Sequence, residues 1–357
     1  MFDLFKTKIN NSWGLHITDR HLRAIEIFGN QQNWQIKRIG KIEIPPGTRE
    51  NGLIKNPPIF QEALKQLRAK TFPSPLKSPY TFVNLAEEHA FSRIIQTPPM
   101  EEEEMSEAIQ WEAESNIPLP IDKVYLSFEI LGKKEDNKNQ VLLSATTKSI
   151  VDELVKNLKL VGLDPLAIES ESTALVRSLS QTGSLPDTQN PVLIINLREH
   201  HTHIITLDMQ VVALSATTEH ASANFDTAIE NAFKIKKEEA ERYRQKIGWN
   251  EKEELGRKMI EATAAPFNAI KKEVGTAISF YHNKSGRDIK EILLTGEKCN
   301  KWLGFDQYFQ KSIGLPVKWQ KDWKSTVWPP NCPFVAPGKE EYNISIGLAL
   351  RKFEEEV

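Results

Sequence analysis

The alternation of apolar and polar positions opens the chain as strands. Residues 13–17 (WGLHI) and 22–28 (LRAIEIF) alternate on either side of a polar turn, Thr18-Asp19-Arg20-His21. Residues 35–44 alternate again up to Pro45-Pro46, and Asn30 suits the tight turn before them. After a loop at 52–56 the period becomes helical over 58–70, with Ile59, Ala63, Leu64 and Leu67 on one face. Residues 81–85 (TFVNL) read as a buried strand. The opening is therefore three antiparallel strands, a helix and a strand.

The texture changes at Phe91. A strand, a Pro98-Pro99 turn, a helix, a second proline pair and a strand follow, then a strand at 141–146 and a helix at 150–160. Met105, Ile109 and Ala113 form the apolar stripe of the first of these helices. Glu101 to Glu104 fall in its first turn, where negative charge suits the helix dipole, and read as a solvated helix start. This block, 88–162, reads as a small α+β module. Residues 162–181 give a short strand and a helix, and a polar linker, TGSLPDTQN, leads to Pro191. The opening pattern then repeats in topology though not in residues: strand, polar turn at Arg198–Thr202, strand, turn, strand. Residues 220–283 are largely helical, with Ile270, Val274, Ala277, Ile278 and Tyr281 as one stripe. Residues 289–319 read as strand, glycine turn, helix and short strand, and 342–353 as a closing helix.

Bulk properties narrow the reading. The 357 residues exceed one typical core, so two or more domains are expected. Charged residues are 26% and net charge is −2, which gives no bulk attraction to nucleic acid or anionic membrane. No apolar run approaches the roughly 20 residues that span a bilayer. The N-terminal stretch MFDLFKTKINNSWG has no long apolar region and reads as a flexible lead-in, not a secretory signal. Two cysteines, Cys299 and Cys332, without CxxC spacing fit a reducing compartment and a cytoplasmic protein. Walker-type loops, HExxH, GxSxG and a basic–aromatic stripe for nucleic acid are absent.

Isolated candidates read as structural. On a hairpin only His201 and His203 of the trio with His200 share a face, so the trio is a polar turn and not a metal site. His220 and His282 are single and read as surface or capping residues. Cys299 sits at a helix start after Gly296, where a thiol can be acidified, but no His–Asp pair accompanies it. Trp319, Trp323 and Trp328 are either core or a partner-facing patch, with core preferred.

Two hairpin-plus-helix halves, a strand–glycine turn–helix in the second, and a helix closing each half together resemble the actin/Hsp70/sugar-kinase ATPase fold. That is an α/β, two-lobed, RNase H-type architecture with, here, a small α+β (SHS2-like) module inserted in the first lobe. A module at 88–162 looks like FtsA and the type IV pilus family PilM. The residues favour PilM. "TPPMEEEEMSEAIQWEAESNIPLPIDKVYLSFEIL" resembles that family's "EAxxxIPxPxxxVxLxxxxL" run, "GLDPLAIESESTALVRSL" its connecting helix and "YNISIGLALR" its closing helix. The resemblance covers nearly the whole chain, and 97–131 is its most specific part. It implies a first lobe of 1–87 with 163–185 and 340–357, and a second lobe of 190–219 with 288–339. Residues 220–287 are the helical subdomain of the second lobe.

The family's nucleotide motifs are degenerate here. Members that bind ATP carry roughly "GIDIGSSSVKAVE" at the first hairpin. This chain keeps Gly14 but has His16 at the Asp position, Thr18 at the turn glycine, and Asp19, Arg20 and His21 for the small residues. A "DIG" in the second hairpin becomes Asn196-Leu197-Arg198, followed by Glu199, His200 and His201. An adenosine-side "GG" becomes Gly296-Glu297. Phosphate is cradled by backbone N–H groups that small residues let it approach. Mg²⁺ needs oxygen ligands, which His16 and Asn196 supply poorly. The expectation is no catalytic residue, no metal and no cofactor, with Asp19, Arg20 and Arg198 able to pair across the empty cleft.

The resemblance then implies a cytoplasmic structural adaptor at the inner face of the membrane, within the type IV pilus or a related secretion platform. It would hold the N-terminal tail of a PilN-like membrane protein in a groove near 81–96 and 106–131. The tail would lie extended and bury alternate apolar side chains. Platform proteins and motor ATPases would be further partners, nucleic acid would not, and membrane contact would come through partner proteins. The alternative is an active actin-like protein binding ATP with Mg, one able to polymerise. An FtsA-like division protein is the weaker alternative, since that family ends in an amphipathic membrane helix and "LRKFEEEV" has no apolar face.

Overall fold

The computed structural model describes residues 2–3, 11–100, 102–117, 120–133, 138–186, 190–297, 302–324, 327–334 and 338–356. In chain order the first elements are β1 (Phe2–Asp3), β2 (Trp13–Ile17), β3 (His21–Gly29), β4 (Trp34–Glu43), β5 (Arg49–Glu50), β6 (Leu53–Ile54), α1 (Pro57–Ala69) and β7 (Tyr80–Leu85). There follow β8 (Ala90–Thr97), α2 (Glu102–Asn116), β9 (Val124–Lys133), β10 (Asn139–Thr147), α3 (Lys148–Leu160), β11 (Asp164–Ser170) and α4 (Glu171–Thr182). Next come β12 (Val192–Leu197), β13 (Thr202–Asp208), β14 (Val211–Thr218), α5 (Ser222–Phe233), α6 (Lys237–Lys246), α7 (Glu254–Ala262) and α8 (Ala264–Ser285). The last are β15 (Glu291–Gly296), α9 (Phe305–Ile313), β16 (Val317–Trp319) and α10 (Asn343–Leu350). The chain forms two compact units, Met1–Gln181 with Trp323–Val357, and Thr182–Asp322.

The first unit is built on a six-stranded sheet of order β1-β11-β7-β2-β3-β4. Both faces are covered, which is why β2 is buried along its whole length. On one face Trp13, Leu15 and Ile17 pack with Phe60, Leu64 and Leu67 of α1 and Val151, Leu154 and Leu158 of α3. On the other, Ile25, Ile27, Trp34, Ile36 and Ile39 pack with Tyr342, Ile346, Ala349 and Leu350 around α10. Helix α10 lies so close to β2 that a Cβ on Gly14 would stand 2.3 Å from the Ser345 carbonyl oxygen. The buried Glu169 carboxylate binds Arg177 of α4 at 2.6 Å and Arg351, just after α10, at 3.2 Å. Burial pushes that carboxyl up, and the two guanidinium groups more than offset it.

Three expectations are corrected. Phe2–Asp3 is an edge strand paired antiparallel with β11 where a flexible lead-in was expected; residues 4–10 lie outside the described residues. Trp323, Val327, Trp328, Cys332 and Phe334, assigned from sequence to the second lobe, belong with the first unit. The Trp323 indole meets Trp34 edge-on at 5.6 Å, and Trp328 packs on Tyr342 at 6.0 Å. The module at 88–162 ends sooner. Its three-stranded sheet, β8-β10-β9, closes a core of its own with α2, containing Met105, Ile109, Ala113, Val141 and Leu143. Helix α3 leaves that core and joins the larger one beside α1.

The second unit carries a five-stranded sheet of order β14-β13-β12-β15-β16. Its pairing runs antiparallel, antiparallel, parallel, parallel. The series β4-β3-β2-β7-β11 of the first unit has the same four relations. The repeat legible in the sequence is thus a repeat of sheet order and polarity. Beside it, Phe225, Trp249, Trp302 and Phe305 form one aromatic cluster, with Trp249 and Trp302 stacked at 5.3 Å. Trp319 is half-buried against Phe305.

Candidate functional site

The turn between β2 and β3 satisfies itself. Thr18 N–H donates to the His21 carbonyl at 2.9 Å. The Thr18 hydroxyl accepts from the N–H of His21 at 2.9 Å and of Arg20 at 3.3 Å. This is a Ser/Thr turn, in which a side-chain oxygen takes the backbone donors of its own loop. Asp19 Oδ1 accepts the N–H of Gly52 at 3.1 Å, and the buried Arg49 guanidinium donates to the Gly52 carbonyl at 2.6 Å. Burial lowers the pKa of Arg49 below its ordinary value, against the opposing charges of Asp19, Glu171 and Glu88.

His16 is buried, and its Nε2 lies 3.2 Å from Glu171 Oε1. Glu171 opens α4, where a carboxylate is favoured by the helix dipole. The same oxygen accepts from Asn84 Nδ2 at 2.9 Å. Asn84 also bridges to β2, accepting from Ile17 N–H at 2.6 Å and donating to Ile17 carbonyl at 3.0 Å. Glu87 adds a cap, its Oε2 accepting Ser172 N–H at 3.0 Å. The position of the family's first aspartate therefore holds an imidazole locked to a carboxylate from α4. Glu171, Asn84 and Arg49 escaped the sequence reading. The one available signal was an acidic residue at the start of a helix.

In the second unit Asn196, Arg198, Gly296 and Glu297 gather at the ends of β12 and β15, where Asn196 faces Thr295 and Leu197 faces Gly296 in register. Arg198 N–H donates to the His201 carbonyl at 3.1 Å. The first N–H groups of α5, those of Ser222 and Ala223, donate to the carbonyls of Arg198 and Glu199 at 3.0 and 3.1 Å. Loop carbonyls thus take the donors that a helix N-terminus offers to a phosphate. Gly296 has φ +140°, and a Cβ there would lie 1.9 Å from Leu197 carbonyl oxygen. Strand packing alone demands that glycine. The Asp19 carboxylate finds its partner, Gly52 N–H, within its own unit.

His203 is buried and His200 exposed, and among the described residues no group of three or more His, Cys, Asp or Glu could hold a metal ion. His220 and His282 are exposed, the latter paired with Asp288 at 2.9 Å. Cys299 lies outside the described residues; burial pushes the Cys332 thiol up. The expected groove segment 81–96 contributes Asn84, Leu85 and Ala86 to a small open cavity. Its other walls are Arg49, β6 and the start of α3, and no residue of 106–131 lines it.

Two sheets of matched order, each opening on a hairpin, define the actin-like class of fold, and solved structures agree. The ethanolamine utilization protein EutJ from Carboxydothermus hydrogenoformans matches with a TM-score of 0.51 at 13% identity, over 95% of this chain and 88% of that one. MreB5 of Spiroplasma citri, bound to AMPPNP, matches at 0.50 and 13% identity, over 97% and 96%. The PilM–PilN type IV pilus biogenesis complex matches at 0.77 and 22% identity, over 97% and 99%. Residues 14–353 match the family of type IV pilus assembly protein PilM, and the chain belongs to that family.

Proposed function

We propose that this chain is a structural adaptor of a type IV pilus or related inner-membrane assembly platform, and that it works without ATP turnover. The observation carrying this reading is the buried His16–Glu171–Asn84 network. It fills the place of the family's first aspartate with an imidazole, a carboxylate and an amide that bond to one another. The self-satisfied Thr18 turn and the occupied first donors of α5 support the same reading. The adaptor sits on the cytoplasmic side and reaches the membrane through a PilN-like protein, whose N-terminal tail it holds. No helix among the described residues is long and apolar enough to cross a membrane. The tail lies extended in a groove near 81–96 and 106–131, burying alternate apolar side chains. Platform proteins and motor ATPases are the further partners.

A thermal melt of the full chain tests this. Millimolar Mg-ATP or Mg-ADP is expected to leave the midpoint unchanged, while a synthetic PilN-type tail peptide raises it further with the logarithm of its concentration above its dissociation constant. A nucleotide-induced rise of several degrees would overturn the pseudo-ATPase reading in favour of an ATP-binding, actin-like protein. A chain indifferent to the tail peptide would remove the adaptor reading.

A further inference from the structure

The outward face of α2 carries a tryptophan that the fold leaves unused. Met105, Ile109 and Ala113 are buried in the module's core. Trp111 falls midway between Ile109 and Ala113, hence on the opposite side of the helix, and is 76% exposed. Nowhere else among the described residues is a large apolar side chain so exposed. The charges on its own helix are of one sign. Residues 102–116 contain six glutamates and no Lys, Arg or His. Glu104, two turns before Trp111, and Glu114, three positions after it, share its face and are exposed. An indole held in water forgoes the free energy of burying its apolar surface, and tryptophan is among the side chains most enriched at the centres of binding hot spots.

We propose that this face of α2 is a docking surface for a Lys/Arg-rich amphipathic segment of a partner protein. Trp111 supplies the aromatic anchor, able to take an apolar side chain or a cation over its ring. The glutamates supply the complementary charge that selects and orients the segment. Charge also rejects the other occupants. An anionic lipid surface is repelled, and a second copy would set one acidic helix against another in a two-fold contact. The inference does not rest on the tail-binding reading, and it stands whether or not nucleotide binds.

The test is selection of a displayed library of random 15-residue peptides on the full chain, with counter-selection on Trp111→Ala. An exposed side chain leaves folding intact, which the melting midpoint checks, and Trp111→Phe is the conservative control. Enriched peptides are expected to carry net positive charge. In fluorescence anisotropy their affinity should fall about tenfold or more on Trp111→Ala and on the Glu104→Lys/Glu114→Lys double variant, and largely survive in Trp111→Phe. Failure to enrich any peptide sensitive to Trp111→Ala overturns the proposal, as does enrichment of acidic peptides. So does a dimer in sedimentation equilibrium that Trp111→Ala dissolves, or Trp111-dependent binding to phosphatidylserine vesicles.

Discussion

At the scale of single residues, one substitution tests the central network. Placing a carboxylate at the family's usual position, by His16→Asp, would set two buried acids beside each other with only Asn84 between them and solvent-free strands. Like charges so placed repel, and one must be protonated or the site must open. The expected result is a loss of about 2–4 kcal/mol in a urea titration and no gain of Mg-ATP stabilisation. A variant that keeps its midpoint and acquires a nucleotide response would show that only the one side chain separates this chain from its nucleotide-binding relatives. The positions of the degenerate motifs were legible because they hang on a local pattern, strand, turn, strand. Their partners were not. Glu171 is 155 residues from His16 and Asn84 is 67 from Ile17, and no local periodicity encodes such a meeting.

At the scale of elements, the period of a helix tells that one face is buried but not against what. Residues 150–160 were legible as a helix but carried the wrong assignment, because α3 turns its apolar face to α1 and the larger sheet and not to the module just before it. Trp323 and Trp328 teach the same lesson: bulk and hydrophobicity mark them as core without naming the core. Strand positions, by contrast, were recovered to within two residues at β2, β3, β4, β7 and β10, since alternation is fixed by the pleat itself. Asp226 of α5 meets Arg244 of α6 at 2.8 Å, with Glu241, Lys237 and Glu230 nearby. Burial nevertheless pushes its carboxyl up to about 6 from an ordinary 3.8, Arg244 opposing. The folded state therefore binds the extra proton. This contribution is fully present below the ordinary value and is lost as pH rises through about 6. Comparing wild type with Asp226→Asn by urea midpoint from pH 4 to 7 should show wild type losing ground on the variant, by up to about 3 kcal/mol. Parallel curves would remove Asp226 as the titrating group.

At the scale of the whole molecule, the repeat of sheet order was legible because both halves open on the same alternation, while the seam between them was not. The second unit is one uninterrupted stretch, Thr182–Asp322, and the first is completed from both sides of it. A chain ending at Gly338 would lack Tyr342, Ile346, Ala349, Leu350 and Phe353, which fill one side of the first sheet. Such a truncation is expected to leave the first unit without a cooperative transition and open to hydrophobic dyes, while isolated 182–322 keeps its own unfolding transition by circular dichroism. Cooperative melting of the truncated first unit would show that α10 is dispensable to it. The close seat of α10 on Gly14 also orders events in time. On the ribosome, β2 emerges more than 300 residues before the helix that covers it. At ordinary elongation rates that is a wait on the order of tens of seconds. The internal unit can finish folding in that interval, whereas the earlier one stays open on one face until α10 has emerged. Birth order and folding order are inverted, and throughout that wait the nascent chain needs a chaperone's shelter on the side that α10 will close.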